Sequence, residues 1–422
     1  MKKIISIFII AFLGYSCNSS RRAVNRDLSD LYRIDASVIH PEVQVYNNTD
    51  ATTDIYFSIN SPELLYSKQP NEEEMTARIR IAYTLQGSYE AKVAIDSGSI
   101  SITDKYANGA EKIVNGKITV KAAFGSNYLL KLDFYDLNRN QQIERYIDIY
   151  KTNLMDAQNF IVRNKENGLP ICRNYLDAKE EVSITYKRSP NAKLFVKRYN
   201  RDFPVASPPF SIIEPKPFAY KPDSTFILQL NDSGTVFVNL AKLGMYHFML
   251  DTNQREGLAL YRFHEGFPGI MRAEQMIYPL RYMTSKDEYE DMLNSKNKKL
   301  AVENFWINCA GGQDRAKEVI RKFYNRVKDA NTFYSSYVEG WKTDRGMIYL
   351  IFGPPNLVYR ATDAETWVYG EDGNLGSLSF NFNRVTNPFS NNDYYLQRSS
   401  VYKSNWYRAV DIWRQGRIYL QN

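Results

Sequence analysis

Three histidines, three cysteines and one spaced run of Asp and Asn are the residues here whose types could do chemistry. Hydrolysis through a nucleophile needs a base within reach, and histidine is the commonest one. His40, His247 and His264 are the candidates. His247 falls inside a strand-like run and His264 ends one. None sits in a His-Glu-x-x-His, Gly-x-Ser-x-Gly or phosphate-binding glycine pattern. Carboxylate pairs for glycoside hydrolysis can be drawn at will from 47 acids, so they decide nothing. Asp136-x-Asn138-x-Asn140 copies the first three ligand positions of an EF-hand loop. Gln141 stands where that loop needs glycine, and Ile147 where calcium needs a bidentate Glu. The run lies between two strand-like segments and reads as a hairpin turn. No metal, no cofactor and no catalytic residue is expected, and the chain reads as a non-enzyme.

The cysteines point elsewhere. Lys2 and Lys3 precede an apolar run, Ile4 to Leu13, of signal-peptide length. It is too short to span a bilayer, which takes roughly 20 apolar residues. Leu13-Gly14-Tyr15-Ser16-Cys17 follows, and a small residue before Cys resembles a bacterial lipobox, with Gly14 where leucine is usual. That resemblance implies lipid attachment at Cys17, with acyl chains contributing ~0.8 kcal/mol per buried methylene. Ordinary cleavage near Ser16 would instead leave Cys17 as a thiol. Cys172 and Cys309 could pair in an oxidising compartment. Cys309 lies on an apolar helical face where free thiols are common, so two unpaired cysteines are expected.

The chain carries 54 Lys and Arg against 47 Asp and Glu, a net charge of +7. The basic residues are scattered without a stripe, which excludes a nucleic-acid surface. Aromatic residues make up 14%, with 32 Tyr, a bias toward β structure.

The elements behind these residues follow from periodicity. Residues 18–36 read as a tether with one short helical stretch. Val43, Val45, Ile55, Phe57, Ile59, Ile79, Ile81, Leu130, Leu132 and Phe134 alternate with polar neighbours, as half-buried strands do. Seven or eight strands in residues 37–155 predict an immunoglobulin-like sandwich. A second all-β module is expected over 156–266. Its proline-rich stretch, Pro204 to Pro222, reads as a crossover between the two sheets. From 267 to 422 the period becomes helical and an α+β domain is expected. Ser285 with Glu288 gives a capping box, and Gly311-Gly312 separates two apolar stripes. Met347 to Phe352, apolar on both faces, reads as a central strand. The whole is a multidomain chain of two all-β modules and a C-terminal α+β domain.

One cluster of motifs is specific. Gly340-Trp341-Lys342-Thr343-Asp344-Arg345-Gly346 is followed by Gly353-Pro354-Pro355, Glu365-Thr366-Trp367-Val368-Tyr369 and Ala409-Val410-Asp411-x-Trp413-Arg414, with Pro279-Leu280-Arg281-Tyr282 upstream. In that order they resemble the GWxTD-domain family of Bacteroidetes-type lipoproteins, over roughly residues 245 to 420. The order of apolar segment, Gly-x-Pro and Trp-x-Tyr is also similar to small lipoproteins of the β-barrel assembly machinery. Physically, Gly340 permits a turn and Trp341 plugs a helix–sheet seam. Thr343 and Asp344 close a turn, Arg345 can pair with Asp344 or Glu365, and Gly346 admits the chain to a strand. A functional reading places Asp344 and Arg345 in a pocket that grips a partner.

These readings give an outer-membrane lipoprotein, anchored through Cys17 and facing the periplasm. Its expected role is a structural or adaptor subunit of an envelope assembly for secretion, surface transport or barrel assembly, with envelope proteins as partners. A carbohydrate- or peptide-binding lipoprotein is the alternative, and aromatic side chains in a groove would favour it. A hydrolase would need a cleft of convergent acids with perturbed pKa in the C-terminal domain.

Overall fold

A computed structural model describes residues 25–34, 37–70, 73–213, 218–374 and 376–419. The signal segment, Cys17 and the first part of the tether lie outside the described residues.

Period-two alternation produces seven strands: β1 (Glu42–Tyr46), β2 (Thr52–Asn60), β3 (Thr76–Gln86), β4 (Ala94–Lys105), β5 (Ile113–Lys121), β6 (Asn127–Asp136) and β7 (Gln141–Tyr150). They form two antiparallel sheets, ordered β1-β2-β5 and β4-β3-β6-β7. Ile55 and Phe57 from one sheet meet Ile79, Ile81, Leu132 and Phe134 from the other in a single buried core. Each such side chain contributes about 1.5–3 kcal/mol by leaving water. The EF-hand-like run is the β6–β7 hairpin. Asp136 accepts the backbone N–H groups of Asn138 and Arg139, at 3.0 Å each, and Asn140 takes a φ of 55°.

A second set repeats this order: β8 (Ile161–Asn164), β9 (Glu181–Thr185), β10 (Lys193–Tyr199), β11 (Ser224–Gln229), β12 (Thr235–Asn239), β13 (Gly244–Met249) and β14 (Leu258–Arg262). The sheets run β12-β9-β8 and β11-β10-β13-β14, so each strand has its counterpart seven places earlier. The proline-rich stretch is not a crossover. β10 and β11 are antiparallel neighbours in one sheet, so the stretch is a long excursion between paired strands. It packs on the C-terminal domain instead. Ala206 N–H donates to Lys342 O at 2.8 Å, and Ser399 N–H donates to Pro209 O at 3.0 Å.

The helices gather at the C-terminal end: α1 (Ala273–Leu280), α2 (Lys286–Asn294), α3 (Lys298–Ala310), α4 (Gln313–Tyr334), α5 (Asp344–Phe352) and α6 (Lys403–Arg414). The Ser285–Glu288 capping box starts α2, and Gly311, at φ 68°, ends α3. The fifth sheet joins β15 (Leu357–Arg360), β16 (Ala364–Tyr369), β17 (Leu378–Arg384) and β18 (Tyr394–Leu396) in chain order. Thus five antiparallel sheets precede and accompany the helices.

Two expectations fail here. Met347 to Phe352 is helix α5, not a central strand. Every residue of α5 is buried, so no polar face marks the 3.6 period and a short apolar run imitates a strand. Gly346 therefore admits a helix, not a strand. The tether also ends early. Leu28 and Tyr32 are buried in the C-terminal core, and Leu28 N–H donates to Val358 O at 2.8 Å along β15. Val358 N–H in turn donates to Asp27 at 2.9 Å.

Candidate functional site

The motif residues form the junction between α4 and α5. Thr343 caps α5: its hydroxyl accepts Gly346 N–H at 3.1 Å and donates to Gly340 O at 2.8 Å. Both glycines are required by close backbone approach. A Cβ on Gly340 would lie 1.8 Å from Ala330 O, and one on Gly346 would lie 1.8 Å from Gly340 O. Trp341 is buried beneath Tyr282, whose hydroxyl donates to Trp341 O at 3.3 Å. The Trp341 backbone N–H donates to the Asn331 side chain at 3.3 Å, and Asn331 donates onward to Pro268 O at 2.9 Å.

Asp344 and Arg345 point to different partners. Asp344 is buried and takes Arg398 through both carboxylate oxygens, at 2.5 and 3.1 Å, plus Leu396 N–H at 2.8 Å. Burial raises its carboxyl above the usual range, against the pull of Arg398. Arg345 pairs with Glu365 at 3.2 Å, the second of its two expected partners. It also donates to the Tyr32 hydroxyl at 3.3 Å and to Asn392, and it stacks 3.9 Å from the Tyr394 ring centroid. Glu365, 1% exposed, also receives Tyr32 O–H at 2.9 Å and Trp367 Nε1–H at 2.5 Å, with Arg360 at 3.4 Å. One buried carboxylate thus faces the buried guanidinium of Arg345 and that of the partly exposed Arg360. The motif's polar groups are bound inside the protein, and Tyr32, Arg360, Asn392 and Arg398, which complete them, lie outside every sequence motif.

Beside the junction opens a groove of about 980 Å³. Its walls are the proline-rich excursion, the segment from Ser336 to Asp344, and the segment from Val385 to Arg398. Phe203, Phe218 and Tyr337 meet edge to face or stacked at 5.4 to 5.9 Å between centroids, with Phe389 behind them. The Ser336 hydroxyl is buried in the wall with no hydrogen-bond partner among the described residues. Asp393 also faces the groove. Burial pushes its carboxyl up to about 6, Arg345 opposing, and Asn387 donates to it at 2.8 Å. Among the described residues Asp393 has no ion pair.

Two raised carboxyls therefore line one groove, the arrangement a hydrolase needs. Asp344 is clamped by Arg398 and a backbone N–H, so its oxygens are committed. Asp393, and Asp202 on the opposite wall, are left without an ion pair among the described residues. The histidines are elsewhere or inert. His247 is buried and pushed down to about 3 by that burial, so it is neutral. His40 pairs with Glu63 at 3.3 Å. Cys172 and Cys309 are both free, and burial raises both thiols, Cys172 to about 12. Among the described residues no cluster of His, Cys, Asp and Glu could hold a metal ion. None of the described helices is long and apolar enough to cross a membrane.

Comparison with known proteins locates the junction within a domain family. The GWxTD domain matches residues 244–415, from β13 to the residue after α6. No curated protein matches the chain. A solved structure described as a beta-galactosidase from Bacteroides fragilis aligns at 10% identity over 34% of this chain and 20% of its own, TM-score 0.19. The C-terminal domain of AspA, an antigen I/II-family protein of Streptococcus pyogenes, aligns at 10% identity over 54% of this chain and 98% of its own, TM-score 0.19. Domains D2 and D3 of the major pilin SpaD of Corynebacterium diphtheriae align at 10% identity over 49% and 75%, TM-score 0.14. Scores this low carry no argument, and the chain spans about a fifth of the first of these proteins.

Proposed function

Residues 244–415 are a GWxTD domain, and from that premise we propose that the chain is an outer-membrane lipoprotein acting as an adaptor subunit of an envelope assembly. The observation that carries this reading is the groove beside the motif. The motif's own polar side chains are consumed in holding α4, α5 and the last sheet together. What faces solvent is an open aromatic slot, suited to a partner's side chains.

The two β regions, 37–155 and 156–266, are immunoglobulin-like sandwich modules in this account. Their shared strand order supports it. So does a tyrosine in the sixth strand of each set whose hydroxyl bonds back to an upstream carbonyl. Tyr128 donates to Ala123 O at 2.9 Å, and Tyr246 donates to Lys242 O at 2.8 Å. Such a corner recurs in this sandwich class.

Acyl chains on Cys17 would anchor the chain at the periplasmic face. Asp27 follows Cys17 by ten positions, a reach of at most about 35 Å. Because Asp27, Leu28 and Tyr32 dock on the last domain, the GWxTD domain is the one held near the bilayer. The aromatic lining keeps one alternative in view, a carbohydrate- or peptide-binding lipoprotein using the same groove. Affinity purification from detergent-solubilised membranes tests the adaptor reading. Envelope proteins should co-purify in fixed ratio. A chain that purifies alone, or that binds glycans on an array without protein partners, defeats it.

A further inference from the structure

A second surface lies on the flank of the second β module. β11 and β12 are both edge strands, each at the end of its sheet. An edge strand presents unpaired backbone N–H and C=O groups and invites another strand unless charge or cover prevents it. Four other edges carry such protection. β4 holds Asp96, Asp104 and Lys105, and β5 holds Lys117 and Lys121. β7 lies against the C-terminal domain through Asp148 and Arg384 at 2.7 Å. β15 is covered by Asp27 and Leu28. β11, Ser-Thr-Phe-Ile-Leu-Gln, and β12, Thr-Val-Phe-Val-Asn, contain no charge at all.

Their apolar side chains are also exposed: Phe226 40%, Ile227 57% and Phe237 58%. Between the two edges the sandwich stands open as a cleft of about 450 Å³, walled by Phe226, Leu228, Phe237, Val238 and Phe248. Its rim carries Arg198 and Lys242, and no acidic residue lines it. Lys242 is exposed and has no ion pair among the described residues.

We propose that this flank receives an extended segment of a partner protein, added as a further strand on β11. Alternate apolar side chains enter the cleft, and a carboxylate of the segment meets Lys242 and Arg198. Main-chain hydrogen bonds supply affinity and the cleft supplies selectivity, as in other strand additions. A second copy of the chain is the competing occupant, because its β11 is flanked by Asp223 and Asp232, but Asp223 is already taken by its own Arg201 at 3.7 Å and by Asn200 N–H at 2.6 Å.

The test titrates the full chain in detergent against two labelled peptides, each of eight alternating Val and Thr residues. One is flanked at both ends by Asp, the other by Lys. The Asp-flanked peptide is expected to bind at least tenfold tighter. Lys242→Glu should cancel or reverse that preference. Ile227→Lys should weaken binding at least tenfold with an unchanged circular dichroism spectrum. If Ile227→Lys disturbs the fold, the exposed Lys242→Glu variant still decides. Equal binding of both peptides, binding of neither, or a concentration-dependent dimer abolished by Ile227→Lys overturns the proposal.

Discussion

Glu365→Gln is the sharpest test of the buried network behind the GWxTD motif. The change keeps volume and removes one charge. Glu365 is 1% exposed and lies 3.2 Å from Arg345 and 3.4 Å from Arg360. Neutralising it leaves the buried Arg345 and the partly exposed Arg360 with no ion-paired carboxylate among the described residues. Breaking one buried pair costs about 3–5 kcal/mol, because the remaining charge stays desolvated and uncompensated. With Arg345 fully buried and Arg360 partly exposed, a cost in that range is expected. The assay is urea unfolding followed by tryptophan fluorescence. All five tryptophans, Trp306, Trp341, Trp367, Trp406 and Trp413, lie in the C-terminal domain, so the signal reports that domain. A loss below about 1 kcal/mol, within the range of exposed ion pairs, would refute the claim that Glu365 and Arg345 form a buried ion pair.

Three further outcomes are expected. Gly346→Ala places a methyl 1.8 Å from Gly340 O, backbone that no rotamer change can clear. It should cost about 3 kcal/mol by the same assay, the upper end for overpacking. Tyr32→Phe removes a hydroxyl shared by Glu365 and Arg345 and should cost about 1–2 kcal/mol. Hydrogen exchange over residues 27–33 should rise with it. Asp393, raised to about 6 when folded, favours the protonated folded state. Its stabilising contribution is full below the unfolded value near 4 and is lost as pH rises through about 6. Asp393→Asn should therefore flatten the pH dependence of domain stability between about 4 and 6, and raise stability at pH 7.5 by on the order of 2 kcal/mol.

Where one face of an element meets water, the sequence pattern located it. The strands around Ile55, Ile79 and Leu132 alternate, and α4 shows its stripe of Ala316, Val319, Phe323 and Val327. The failure at α5 has the opposite cause: an element buried on all sides carries no period. Its boundary signals were present, with Thr343 at the cap and Gly353 at φ 86° closing the helix. The site was legible only in part. Spacing alone cannot choose between Asp344 and Glu365 as the partner of Arg345, because the choice depends on how far sheet and helix stand apart. Nor could Tyr32, 313 residues from Arg345, be assigned to the cluster, since a short segment near the chain's start shows no pattern that marks it as docked. The groove was hidden for the same reason. One wall is a loop whose prolines exclude ladder pairing but leave its resting place open.

The account turns on whether the groove at the GWxTD junction holds a protein partner at the outer membrane. Val385, 37% exposed and on the groove wall, can be replaced by a photo-reactive residue in intact cells. Illumination followed by mass spectrometry should give one dominant adduct with an envelope protein, formed by a chain acylated at Cys17. An unmodified N-terminus on a freely diffusing chain, with no protein adduct formed, would contradict it.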